Sequence, residues 1–280
     1  MPGTLYVVAT PIGNLADASP RALEALRGAD LVACEDTRTS RGLLAAHGIA
    51  AKTVALHAHN ERAAGQKLLQ ALREGRTVAL VSDAGTPAVS DPGALLVAAA
   101  HREGIRVVPV PGPNAAIAAW SASGFTADRF LYVGFLPAKP QKAAQALAAL
   151  DDALPLIFYE APHRVAATVA ALLERFGPAR ELVVARELTK KFEEIARMPL
   201  RDAPAWLQAG PHRQQGEFVL VLGPGEARPA ARAPDPGEVL GLLLEALPAS
   251  DAVKLAARIT GEPRNALYKA ALARTAAKPK

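Results

Sequence analysis

The chain has a single cysteine, Cys34, among its 280 residues, and it lacks long apolar runs. A single cysteine excludes an internal disulfide and indicates a reducing compartment. The N-terminal stretch MPGTLYVVATPIGNL has no basic start, so it is a poor secretory signal. No apolar stretch reaches the roughly 20 residues that a membrane span needs. We therefore expect a cytoplasmic globular protein with no membrane association.

The common motifs of nucleotide sites and of serine hydrolases are also absent. There is no G-x-x-x-x-G-K-[ST] phosphate loop, no G-x-G-x-x-G after the first apolar segment and no G-x-S-x-G elbow. His57 and His59 lie close together, but no further metal ligand stands at a matching spacing, so we expect no metal site. Cys34 fits a core residue better than a nucleophile.

Positive charge is concentrated at the end of the sequence. The formal net charge is +5, and residues 250–280 hold seven basic residues against two acidic ones. The rest of the chain is therefore formally neutral. A cationic tail on a neutral body indicates a polyanionic partner, and the alternative is a tail that only aids solubility.

The first half of the sequence predicts a parallel sheet. Apolar segments at 5–10, 31–35, 77–83 and 105–110 are rich in Val, Leu and Ile without alternation, and helical patterns separate them. Such strands are typical of a sheet that helices cover on both faces. Ser19-Pro20 and Asp91-Pro92 each indicate a helix start, with an N-cap followed by proline.

Two breaks in the pattern predict the domain organisation. LPAKPQK at 136–142 is typical of an interdomain linker, and the Pro-, Ala- and Arg-rich stretch at 224–237 is typical of a flexible one. The sequence thus predicts an α/β fold of two α/β domains at 1–135 and 143–223. A small basic helical module at 237–280 follows, in which Ser250 is expected to cap the middle helix.

Three Gly- and Pro-rich loops are expected at one edge of the first sheet. The loop TPIGN follows the first predicted strand. The loop DAGTPAVSDPG follows the third or fourth strand, and the loop PGPNAA follows the strand after that. Ligands of open parallel sheets bind beyond the carboxyl ends of the strands. Glycine lets backbone approach a ligand closely, and proline stiffens the loop. The middle loop is longer than a simple connection needs, which predicts a bound ligand.

Six motifs give the chain a resemblance to a known family. VATPIGNL, CEDTRTS, HAHNE, VSDAGTPAVSDPG, VPVPGPNA and FYEAPHRV occur in this order. Together they resemble the ribosomal RNA small subunit methyltransferase I family, a branch of the class III, tetrapyrrole-methylase-like S-adenosylmethionine (SAM) enzymes. The resemblance implies two α/β domains with SAM in the cleft between them, usually in a homodimer. It also implies 2′-O-methylation of a cytidine ribose in the decoding centre of 16S rRNA.

The resemblance further implies which residues bind SAM. They come from all three loops and are Pro11, Gly13, Asp83, Ala84, Gly85, Thr86, Pro87, Pro113, Asn114 and Ala115. We expect Asp83 to face the cationic amino group or the sulfonium of SAM. For Asp91 two roles fit the sequence. It either stabilises a turn or an N-cap, or it faces the ligand.

A ribose hydroxyl is a weak nucleophile, so methyl transfer should need a positioned acid–base group. The sequence offers several candidates, which are Glu35, Asp36, His59, Glu61, Glu160, His163 and Lys190. The EDTR motif puts two carboxylates and an arginine at the end of a predicted strand. We therefore favour Asp36 and Glu35 as the base, and we expect Arg38 to contact a phosphate.

Two other functions fit the same residues. A class III methyltransferase of a small molecule such as a tetrapyrrole would share the cofactor loops, although it would not need a basic helical tail. A non-catalytic rRNA-binding protein that assists assembly would keep the fold. Labelled methyl transfer separates all three functions.

Overall fold

The computed structural model describes residues 2–225 and 235–276. The chain forms two compact units, Met1–Gly225 and Glu226–Lys280. Most of the predicted linker at 224–237, and the basic residues Lys278 and Lys280, lie outside the described residues. No helix in the described part of the chain is long and apolar enough to cross a membrane.

The first sheet has five parallel strands in the order β3-β2-β4-β1-β5. The strands are β1 (Thr4–Val8), β2 (Leu31–Cys34), β3 (Thr53–Ala55), β4 (Val78–Leu80) and β5 (Arg106–Val110). The helices that alternate with them are α1 (Pro20–Arg27), α2 (Thr37–Ala46), α3 (Glu61–Arg73) and α4 (Ala94–Arg102). Apolar side chains of α3 and α4 pack on one face, and those of α1 and α2 pack on the other. The predicted parallel sheet, covered on both faces, is confirmed.

The second sheet is mixed, in the order β6-β7-β10-β8-β9. Its strands are β6 (Leu131–Phe135), β7 (Leu156–Glu160), β8 (Glu181–Arg186), β9 (Glu194–Pro199) and β10 (Phe218–Leu222). Only β6 and β7 are parallel neighbours. One face is covered by α6 (Pro140–Ala148), α7 (Val165–Phe176) and α8 (Ala203–Ala209).

The junction between the two sheets differs from the predicted linker. The sequence predicts that the first domain ends at residue 135, but β6 pairs with β7 and so belongs to the second sheet. Helix α6 begins inside the predicted linker at 136–142, because Pro140 occupies the first helical turn, where its missing N–H costs nothing.

Helix α5 (Ala115–Ser123) connects the two halves of the first unit. It leaves the loop after β5, and its buried side chains Ala116 and Ala119 pack against Ile157 and Val219 of the second sheet. Helix α5 and Ile12, from the loop after β1, thus pack with the second sheet in one apolar cluster.

The C-terminal unit consists of α9 (Pro236–Ala246), α10 (Ala249–Thr260) and α11 (Arg264–Ala276), as predicted. Leu240, Val253 and Leu267 belong to its buried centre. Gly261, with a φ of 74°, ends α10 in the left-handed region. The predicted cap at Ser250 is wrong, because α10 already begins at Ala249.

The two predicted proline-containing helix starts have different outcomes. The Ser19 hydroxyl accepts a hydrogen bond from the Ala22 N–H at 3.1 Å, so the predicted N-cap of α1 is confirmed. The predicted cap at Asp91 is wrong, because α4 begins only after Gly93. Instead, Glu61 of α3 supplies the cap, since its Oε1 accepts from the Gly93 N–H at 2.8 Å and from the Leu95 N–H at 3.1 Å.

We expect Glu61→Ala to lower the free energy of unfolding by about 1 kcal/mol, because two N–H groups at the start of α4 lose their acceptor. Glu61→Gln keeps an acceptor and should lose only the charge–dipole part, about 0.3–1 kcal/mol. Urea denaturation measures both. Glu74→Ala, at the exposed end of α3, is the control and should change stability by less than about 0.5 kcal/mol. Equal stability of Glu61→Ala and the wild type would contradict the capping role.

Candidate functional site

The loops after β1, β4 and β5 are hydrogen-bonded to one another at the carboxyl edge of the first sheet. The Thr10 N–H donates to the Gly85 carbonyl at 2.9 Å, and the Gly85 N–H donates to the Thr10 carbonyl at 3.1 Å. The Thr10 hydroxyl donates to the Ser82 carbonyl at 3.2 Å, and the Thr86 hydroxyl donates to the Pro113 carbonyl at 3.1 Å. The three loops therefore form one continuous wall.

The loop at 81–93 holds an unusual backbone. Ala88 and Ser90 have φ values of 65° and 63°, in the left-handed region that costs a non-glycine residue about 1–2 kcal/mol. The Ser90 hydroxyl is hydrogen-bonded to the Tyr132 hydroxyl at 2.6 Å, which ties the loop to β6. Such strain persists where surrounding contacts fix the backbone, and it is concentrated at functional sites.

A cavity of about 460 Å³ lies between this wall and the second sheet. Its volume is in the range of ligand sites. Six of the ten residues predicted to bind the cofactor line it, namely Asp83, Ala84, Gly85, Thr86, Asn114 and Ala115.

The other four predicted residues, Pro11, Gly13, Pro87 and Pro113, stand in the same loops but outside the lining. Gly13 is exposed, but the Lys190 side chain packs against it, since a Cβ at Gly13 would lie 2.4 Å from Cγ of Lys190.

An aromatic wall on the second sheet faces the loops. The ring centroids of Tyr132 and Tyr159 are 5.3 Å apart, and those of Phe135 and Tyr159 are 5.6 Å apart. The Tyr159 hydroxyl accepts from the Ala116 N–H at 3.1 Å. Phe135 lines the cavity and is 54% exposed, so its ring lies at the mouth. No sequence pattern indicated this wall, although the motif FYEAPHRV contains Tyr159.

Glu160, a candidate base, is buried and fully engaged. Its Oε2 accepts from the Thr168 hydroxyl at 2.5 Å, and its Oε1 accepts from the Ala161 N–H at 2.8 Å. The Arg164 guanidinium lies 3.4 Å from the same Oε1. Glu160 therefore holds the start of α7. His163 is exposed beside it.

Asp36 and Arg38 form an ion pair outside the cavity lining. The Asp36 carboxylate caps α2 by accepting from the Arg38 N–H at 2.8 Å, and it lies 2.7 Å from the Arg38 guanidinium. The Arg38 side chain, followed by its backbone N–H, lowers the pKa of Asp36 to about 2. A carboxylate held in this way is a weak base. The Asp36 N–H in turn donates to Oδ1 of Asp83 at 3.0 Å.

Glu35 and Asp91 have the opposite electrostatic environment. Burial, and then the neighbouring Asp83 carboxylate, raise the pKa of Glu35. Burial, and then Glu35, raise the pKa of Asp91 to about 6. Of these acidic residues, Asp83 and Asp91 line the cavity, whereas Glu35 and Asp36 do not.

Lys190 is held between two carboxylates at the edge of the cavity. Its ammonium lies 2.8 Å from Oε1 of Glu187 and 2.9 Å from Oε2 of Glu217, a residue of the lining. Burial lowers the pKa of Lys190, but the two glutamates outweigh burial and raise it. A lysine in this setting keeps its proton and is a poor base.

Two further candidates lie away from the lining. His59 is exposed, and Glu61 caps α4. Within residues 2–225 and 235–276, no group of His, Cys, Asp or Glu side chains is arranged to hold a metal ion. The cavity thus has the carboxylates of Asp83 and Asp91 on the loop wall. The side of the second sheet contributes the rings of Phe135 and Tyr159 and the carboxylates of Glu160 and Glu217. This combination suits a cationic ligand that carries a flat ring.

Residues 4–204 match the family of Tetrapyrrole (Corrin/Porphyrin) Methylases, and residues 230–275 match the RsmI C-terminal HTH domain. The chain is 49% identical to ribosomal RNA small subunit methyltransferase I of Xylella fastidiosa (strain Temecula1), over 95% of this chain and 98% of that protein.

Solved structures share the architecture of both sheets. Uroporphyrin-III-C-methyltransferase from Thermus thermophilus is similar with a TM-score of 0.57 at 25% identity, over 79% of this chain and 94% of that one. A uroporphyrin-III C-methyl transferase from Thermus thermophilus complexed with S-adenyl homocysteine has a TM-score of 0.56 at 19% identity, over 79% of this chain and 97% of that one. The predicted tetrapyrrole-methylase-like fold is confirmed. With both domains matched and close to half of its residues shared with a relative of almost equal extent, the chain belongs to the ribosomal RNA small subunit methyltransferase I family.

Proposed function

We propose that the protein transfers a methyl group from SAM to the 2′-hydroxyl of a cytidine in 16S rRNA of the small ribosomal subunit, in the cytoplasm. The observation that carries the proposal is the cavity between the loop wall and the aromatic wall, in a member of this family. The curated relative is named for small-subunit rRNA, which supports the choice of substrate over a tetrapyrrole.

The residues of the cavity fit SAM. Its sulfonium and ammonium groups are positive, which suits a wall that holds the Asp83 carboxylate. Its adenine is a flat aromatic base, whose faces suit the rings of Phe135 and Tyr159. Gly85 lets the loop backbone approach the ligand. When bound, SAM supplies an activated methyl group, and the protein supplies alignment.

Charged groups outside the cavity support an RNA substrate. Arg258, Arg264 and Lys269 are exposed on α10 and α11 of the C-terminal unit. The Arg38 side chain is 87% exposed in the first unit. Guanidinium and ammonium groups contact phosphates without reading sequence, so we assign these side chains to the RNA backbone and not to the choice of nucleotide.

We also propose a homodimer. Phe192 and Ile195 are 66% and 40% exposed, next to and on β9, which is an edge strand of the second sheet. Exposed apolar side chains at a strand edge favour burial by another chain. The molar mass from light scattering tests the proposal, and a monomer at all concentrations would contradict it.

The central experiment is incubation of the protein with SAM that carries a labelled methyl group. The acceptors are assembled small subunits, naked 16S rRNA and a porphyrin precursor. We expect label on a cytidine ribose of the rRNA, located by nuclease digestion and mass spectrometry. Label on the porphyrin precursor alone would favour a small-molecule methyltransferase. SAM-independent rRNA binding without label on any acceptor would favour an assembly protein.

Replacement of Gly85 tests the SAM site. A Cβ at Gly85 would lie 3.3 Å from Cγ2 of Ile12, whereas a Cβ at Gly104 would meet nothing within 4 Å. Both glycines have positive φ, 82° and 65°, so leucine strains the backbone at either position. We expect Gly85→Leu to weaken SAM binding at least about tenfold, or 1.4 kcal/mol, in calorimetry. The control Gly104→Leu should lose stability but keep SAM affinity, and equal affinities of the two variants would contradict this site.

The double variant Arg264→Gln/Lys269→Gln tests the C-terminal unit as an RNA-binding surface. We expect it to reduce the slope of log affinity against log salt by about 0.7 to 0.9 for each RNA phosphate that the protein no longer neutralises. SAM binding should not change. The control Lys139→Gln/Lys142→Gln also removes two exposed cations, from the start of α6, and should keep the wild-type slope. If both double variants have the wild-type slope, the basic tail aids only solubility.

A further inference from the structure

Asp91 is a carboxylate that the fold does not use for capping. The Asp-Pro pair predicts an N-cap, but Gly93 occupies that position and Glu61 accepts the hydrogen bonds from the start of α4. Asp91 lies two residues earlier, is only partly exposed and lines the cavity. Its side chain is therefore available to a ligand.

The loop holds Asp91 in a defined position. The preceding residue, Ser90, is in the left-handed region and is hydrogen-bonded to Tyr132, and the following residue, Pro92, restricts the backbone. A group fixed in this way needs little rearrangement before it reacts, which is what positioning contributes to catalysis.

The groups that face Asp91 come from both walls. Glu35 after β2 and Asp83 after β4 are negative and raise its pKa, whereas the Ser82 hydroxyl lowers it. Across the cavity, the charge of Asp91 contributes to the raised pKa values of Tyr132 and Tyr159. With burial as the largest cause, the pKa of Asp91 reaches about 6.

We propose that Asp91 is the general base of methyl transfer. The inference rests on the proposed function. The proton of the acceptor hydroxyl passes to the Asp91 carboxylate while the new oxygen–carbon bond forms at the methyl group. The carbon–sulfur bond breaks, its electron pair stays on sulfur, and a neutral thioether leaves. Charge and atoms balance, because the carboxylate gains the proton as the sulfonium loses its positive charge.

The other acids and bases are less suitable for this step. The Asp36 carboxylate is paired with Arg38, and the Glu160 carboxylate is engaged by Thr168 and by backbone. Lys190 keeps its proton between two glutamates. A base that titrates near the working pH is more effective than one that titrates at about 2.

Asp91→Asn tests the role in the enzyme as it exists, with SAM and the acceptor that the labelled-methyl experiment identifies. We expect its single-turnover rate to fall about 100-fold or more, with SAM affinity in calorimetry within a few-fold of wild type. The wild-type rate should rise with pH and level off above the pKa of the base, and this rise should be absent in Asp91→Asn. The control Asp128→Asn removes an exposed carboxylate and should keep the wild-type rate and profile.

A readout that does not need activity is thermal stability against pH. The pKa of Asp91 is raised in the folded protein, so the folded state binds the proton more tightly than the unfolded state between about pH 4 and 6. Wild-type stability therefore falls relative to Asp91→Asn as pH rises through this window. We expect the Tm of the variant minus that of wild type to increase over this range and to level off above pH 7. A carboxylate that stabilises the fold in its ionised form would instead make the Tm of the variant fall relative to wild type as pH rises.

Wild-type single-turnover rates and pH profile in Asp91→Asn would overturn the inference while leaving the proposed function intact. A wild-type protein that methylates no acceptor would overturn the proposed function and the role of Asp91 with it. The two failures are distinguishable, because the first is seen only in the variant.

Discussion

Two backbone hydrogen bonds between Thr10 and Gly85 connect the loops that follow neighbouring parallel strands, and the first wall of the cavity depends on them. This contact needs a glycine at position 85 for two reasons. Its φ of 82° lies in a region that favours glycine, and Ile12 leaves little space for a Cβ. Once Gly85 is fixed, Thr86 reaches the third loop and Asp83 is placed at the cavity. One close approach of backbone to backbone thus positions ligand-facing groups from several loops.

The acidic residues at this edge have separate tasks because their partners differ. Asp36 has an arginine and an N–H of its own helix, which keep it ionised and occupied. Glu61 caps α4, the helix that follows the loop at 81–93. Asp91 is partly buried near the carboxylates of Glu35 and Asp83, so burial and like charge raise its pKa, and no cation is among the groups that oppose them. Two of these acids therefore cap helices, and the third, Asp91, is the one that we propose as the base.

Sequence patterns predicted the features that local physics controls. Buried parallel strands, the cap at Ser19 and the three C-terminal helices follow from composition and from residues a few positions apart. The cap of α4 could not be predicted in this way, because its acceptor, Glu61, is 32 residues from Gly93. The aromatic wall was missed for the same reason, since its rings come together only when β6 and β7 pair. Gly- and Pro-rich composition after predicted strands pointed to the loops of the site, and the motif resemblance assigned their residues to SAM.

Helix α5 limits how a ligand can reach the cavity. Its N-cap residue, Asn114, lines the cavity, while Ala116 and Ala119 are buried against the second sheet and the Ala116 N–H is held by Tyr159. Swinging the two sheets apart would expose this apolar contact to water and break that hydrogen bond, which makes wide hinge opening costly. Entry and exit should then pass through the mouth beside Phe135, and the rate of product release would depend on side-chain motion there and not on domain separation.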